Sequence, residues 1–72
     1  MNINDYNDFI KELEYIETWC EIYSNMKYQG IINPQLLKVL VTKEKFSSAN
    51  LEENELIIFL KGEENIIKLV IM

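Results

Sequence analysis

Two apolar seams run through the first 29 residues, and no feature of the chain constrains its fold more. Tyr6, Phe9, Leu13, Ile16, Cys20 and Tyr23 follow one another by steps of three and four, and Tyr15, Trp19, Ile22 and Met26 repeat that alternation on roughly the opposite side. The spacing predicts one helix, opened by Asn2 or Asn4 as a cap and closed near Gln29, just before Gly30. Acids in its first turns complement the helix dipole. Such a helix is about 26 residues and about 39 Å long. One seam is enough to seat it on a core, so the second calls for a partner.

The 72 residues are read as one small α+β domain spanning 1–72, a size at which a single core stabilises the native state only marginally. With one cysteine and no histidine, neither an intramolecular disulfide nor the usual zinc ligand sets are available, and no cofactor is expected. Cys20 falls within the first seam and reads as a small buried hydrophobe. The N-terminus, MNINDYNDF, is polar and acidic and lacks the pattern of a signal peptide. The longest apolar runs fall well short of the ~20 residues that cross a bilayer. The expectation is a soluble, cytoplasmic protein that meets no membrane.

Twelve acids stand against seven lysines, with no arginine, giving a net charge of −5. A protein that tracks phosphates needs the opposite balance, so direct nucleic-acid binding is not expected. Half of the acids (Asp5, Asp8, Glu12, Glu14, Glu17 and Glu21) precede Met26, where Lys11 is the only base.

Farther along, Leu37 to Lys45 reads as a strand, because Leu37, Val39 and Val41 alternate with Lys38, Leu40 and Thr42. The alternative is a second helix opened by Asn33 as cap and Pro34 at its first position. Ser47 to Asn54 then becomes a polar connection. Glu55 to Lys61 and Ile66 to Met72 form a hairpin about a turn at Gly62-Glu63-Glu64-Asn65. Leu56, Ile58, Leu60, Ile67, Leu69 and Ile71 supply one apolar face. The other face is not polar either, since it carries Ile57, Phe59, Ile66, Val70 and Met72, relieved by Glu55, Lys61 and Lys68. The expected fold is thus one long N-terminal helix packed on a three-stranded antiparallel meander. Two helices followed by a C-terminal β-hairpin is the alternative.

Catalytic equipment is thin: no histidine for acid–base work, no arginine for anion stabilisation and no glycine-rich phosphate loop. The chain is therefore read as a non-enzyme. Tyr15, Trp19, Ile22, Tyr23 and Met26 form the expected protein-binding seam, being rich in residue types that anchor interfaces. Glu14, Glu17 and Glu21 share a helix face in that reading, spaced much like phosphates along a strand, and would mimic nucleic acid in a basic channel. In size, charge and lack of catalytic residues the chain resembles small acidic phage inhibitors, including anti-CRISPR and other anti-defence proteins; the resemblance is one of composition and covers no motif. It implies an inhibitor that blocks the surface of a protein target, a nucleic-acid-binding protein being the kind of target that mimicry would suit. A homodimeric, antitoxin-like accessory subunit is the alternative.

Overall fold

A computed structural model describes residues 1–62 and 64–72, so Glu63 of the expected turn lies outside the described residues. The chain runs through β1 (Asn2–Ile3), α1 (Tyr6–Tyr15), β2 (Cys20–Ser24) and β3 (Lys27–Ile32). A 3-10 turn (Pro34–Leu36) then leads into α2 (Leu37–Leu40), followed by β4 (Phe46–Glu52), β5 (Glu55–Leu60) and β6 (Ile66–Ile71). The strands form one antiparallel sheet in the order β1-β4-β5-β6-β2-β3.

The long N-terminal helix is therefore not formed, and the sheet has six strands rather than three. The helix stops at Tyr15: Ile16 is extended (φ −85°, ψ 108°) and its N–H turns back to the Leu13 carbonyl. From there the chain is dense in β-branched and aromatic residues, Ile16, Thr18, Trp19, Ile22 and Tyr23, which lose side-chain freedom in a helix and pack well on a pleated sheet. Short stretches of three-and-four spacing also contain period-two pairs. Cys20 and Ile22 point to the core, while Glu21 and Tyr23 point away. As a strand between β6 and β3, this segment is hydrogen-bonded on both sides.

The expected strand from Leu37 to Lys45 is likewise replaced. The Asn33 side chain accepts the Gln35 N–H at 3.0 Å, Pro34 occupies the first turn, and Leu37 in α2 is fully buried. The strand forms instead at Phe46–Glu52, most of which the sequence reads as a polar connection. Phe46 and Ala49 are buried and Leu51 packs against the core, whereas Ser48, Asn50 and Glu52 fall on the other side. The C-terminal hairpin matches expectation, with Leu56, Ile58 and Leu69 fully buried.

Both helical segments lie on one face of the sheet. Phe9 and Leu13 from α1, with Leu37 and Val41, close over Ile3, Cys20, Phe46, Ala49, Leu56, Ile58 and Leu69. Phe9 stacks on Phe46 at 4.8 Å between ring centroids, and Tyr6 meets Phe46 edge-on while donating its hydroxyl proton to the Val41 carbonyl at 2.9 Å. No helix among the described residues is long and apolar enough to cross a membrane.

Candidate interaction face

The helices leave the other face of the sheet open, and the strand register says what it displays. One row across it reads Asn50, Ile57, Lys68, Tyr23 and Tyr28. A second reads Glu52, Glu55, Val70, Glu21 and Ile31, and a third Ser48, Phe59 and Ile66. A one-sided antiparallel sheet turns mostly polar side chains to water. Here Ile57, Phe59, Ile66, Val70, Tyr23, Tyr28 and Ile31 make a contiguous apolar and aromatic surface, with Phe59 39% exposed and Tyr28 and Ile31 each 55% exposed. Beyond the second row, the Met72 N–H reaches the Trp19 carbonyl at 3.4 Å, and the same alternation carries both exposed side chains onto this side.

Two local devices shape the face. Asn25 and Met26 both have positive φ (50° and 70°), giving the tight two-residue turn that matches strand twist, and Asn is a residue that tolerates that region. Asn25 also ties this turn to β6: its N–H donates to the Ile66 carbonyl and its side-chain oxygen accepts the Ile66 N–H, both at 3.0 Å, while its amide nitrogen donates to the Asn65 side chain. The second device is a bulge. Ile22 pairs with Gly30 and Tyr23 with Tyr28, so Gln29 is an extra residue, and Gly30 adopts φ 126° to accommodate it. A bulge and a lysine on edge strand β3 discourage strand-to-strand pairing there. It is the face, rather than that edge, that offers contact.

Charge on the face is uneven. The Lys68 ammonium lies 3.8 Å from Glu55 and 4.7 Å from the Tyr23 ring centroid, and Tyr23 packs edge-on against Tyr28 at 5.6 Å. Glu21 and Glu52 make no ion pair among the described residues. Glu52, Glu53 and Glu55 join Asn50 and Ile57 around a shallow groove of about 250 Å³.

The residues expected to bind protein do not form one seam. Tyr15 ends α1 at 77% exposure, Trp19 precedes β2, and Met26, 78% exposed, is at the tip of the first hairpin. Tyr23 is on the open face, whereas Ile22 packs against the core. Glu14, Glu17 and Glu21 do not share a helix face, because the helix ends between the first and second of them. Glu14 pairs with Lys38 on α2 at 3.2 Å, Glu17 is in the connection, and Glu21 is in β2. The phosphate-like row has no counterpart in the fold.

Tyr28 and Ile31 join the surface without a sequence signal, because Asn25-Met26 lacks the glycine that marks a two-residue hairpin turn. Cys20 is fully buried at the junction of β2, β6 and β3, and burial pushes its thiol above the ordinary range. Among the described residues no three His, Cys, Asp or Glu side chains come together as a metal site. No family model, curated protein or solved structure matches the chain.

Proposed function

We propose that this chain is a non-catalytic binding protein that works by laying the open face of its sheet on another protein and blocking that protein's surface. The observation that carries the reading is the apolar composition of a face that no element among the described residues covers. Large exposed apolar patches rimmed by polar groups mark interaction sites. Tyr, Trp, Phe and Met, which this face gathers at Tyr23, Tyr28, Phe59, Trp19 and Met72, are enriched at interfaces. Blocking, rather than chemistry, agrees with a sequence that has neither histidine nor arginine and whose one thiol is buried. It is also what resemblance to small acidic inhibitors implies, now with the sheet in place of the helix as the contact.

The test is differential affinity capture from candidate host cells. Wild-type protein is compared with Phe59→Asp/Ile66→Asp on the open face and Leu36→Asp/Val39→Asp on the helical layer, all four positions being exposed. A species retained by wild type and by the helical-layer variant, but lost with the open-face variant, is the expected result. Equal retention by all three proteins, or loss only with the helical-layer variant, would reject the reading.

A further inference from the structure

The charge pattern of the open face states what kind of protein fits it, an inference that rests on the reading just given. Glu21, Glu52 and Glu55 lie in one row across four strands, and Lys68 in the neighbouring row is the sole ammonium among the three rows. That ammonium is already engaged by Glu55 and by the Tyr23 ring. The face therefore presents two carboxylates that nothing in the described chain neutralises, and Glu53 adds a third at the rim of the Glu52–Glu55 groove.

Size places the face among the smaller interfaces. Six strands at ~4.8 Å spacing and strands of ~6 residues at ~3.3 Å rise give a footprint of roughly 24 by 20 Å. In projection that is about 480 Å², the range of a small, transient contact beside the ~800 Å² per partner of a standard complex. An occupant of that size, apolar at its centre, removes the carboxylate row from water, which is costly unless cations meet it.

A second copy of this chain does not supply those cations. Across these three rows, three carboxylates and one ammonium leave −2 on each copy before Glu53 is counted, so two copies that lay these rows on one another enclose −4. Nucleic acid and anionic lipid surfaces meet the same repulsion. A basic protein surface supplies what is missing.

We infer that the open face docks a basic protein surface: an apolar patch that covers Ile57, Phe59, Ile66 and Val70, flanked by Lys or Arg side chains that reach Glu21 and the Glu52–Glu55 groove. The apolar contact holds the complex and the carboxylate row selects the partner and speeds encounter, a division of labour common to charged interfaces.

The probes are two synthetic amphipathic peptides with the same leucine pattern, one with lysine and one with glutamate at every polar position. Each is titrated into isotope-labelled protein, with amide shifts followed at low and at moderate salt. The lysine peptide is expected to shift amides of β5, β6 and β2, to bind at least roughly tenfold more tightly than the glutamate peptide, and to lose most of that margin as salt screens the row. Glu21→Gln/Glu52→Gln/Glu55→Gln is expected to abolish the margin between peptides while leaving the spectrum of a folded sheet.

Equal shifts of these amides by both peptides would overturn the basic-partner inference and leave the face as a binding surface. A dimer in light scattering, dissociated by Phe59→Glu, would overturn it in the same way and give the face to a second copy. A monomer whose open-face amides respond to neither peptide would overturn both this inference and the reading on which it rests.

Discussion

Met26 is the least expected residue in its place, a long apolar side chain at φ 70° and 78% exposed, in a turn where glycine or asparagine is the usual occupant. The left-handed region costs an ordinary residue about 1–2 kcal/mol, partly offset on replacement by the backbone entropy of glycine. Met26→Gly creates the Asn-Gly pair favoured in such turns and is expected to stabilise the protein by about 0.5–1 kcal/mol, a rise of several degrees in thermal denaturation. A loss of stability would show that the Met26 side chain packs on something the fold requires. Cys20 gives a prediction of a different kind. Its folded thiol titrates above its unfolded value because burial disfavours the thiolate. That contribution to stability is whole at neutral pH and is lost as pH rises above about 8.5 and through the folded value. In urea titrations over this range, wild type is expected to lose stability more steeply than Cys20→Ala; parallel losses would mean that other groups account for alkaline unfolding.

At the scale of elements, the place where α1 ends separates two folds that the same residues allow. A proline at Glu17 would cost about 3 kcal/mol or more inside a continuous helix, since it removes a hydrogen bond and clashes with the preceding turn. In the observed fold Glu17 lies between α1 and β2, after an extended Ile16 that already has the backbone a following proline prefers. Glu17→Pro is expected to cost less than about 1 kcal/mol, and Ile22→Pro, in a strand paired on both sides, to unfold the protein. Chemical denaturation of the two variants measures this, and a large loss at Glu17 would speak for a longer helix. The same segment shows what the sequence does and does not reveal. The Tyr6, Phe9, Leu13 seam is legible because it is helical and buried, and the C-terminal hairpin because both of its apolar faces read directly. Past Tyr15 helical spacing misleads: Trp19, Ile22 and Met26 satisfy it, but without a glycine or proline to punctuate the run, only the tertiary gain of inserting β2 beside β6 decides the outcome. In β4 the short residues Ser48 and Ala49 give too weak an alternation to register. The apolar second face of the hairpin was legible; the addition of Tyr23, Tyr28 and Ile31 to it was not, because it depends on a pairing between residues as distant as Cys20 and Ile71.

Over the whole molecule, the two sides of the sheet should differ in what they contribute to stability. Leu69 is fully buried in β6 within the single cluster that joins both helical segments to the sheet. Leu69→Ala leaves a cavity there and is expected to cost about 2–5 kcal/mol, comparable with the ~3–5 kcal/mol that a core of this size supplies. The variant should be largely unfolded at room temperature by circular dichroism. Ile31, Phe59 and Ile66 are already 55%, 39% and 38% exposed on the open side. Replacing all three with threonine, a good strand former, removes apolar surface that folding never took fully out of water. Together these changes are expected to cost less than about 2 kcal/mol, so the triple variant should keep its dichroism spectrum and a cooperative transition while Leu69→Ala does not. If the triple variant unfolds as completely as Leu69→Ala, the open face is part of what holds the monomer together and its apolar character needs no partner. If it folds, selection for stability does not account for three large apolar side chains on the outside of so small a protein, and contact with another surface does.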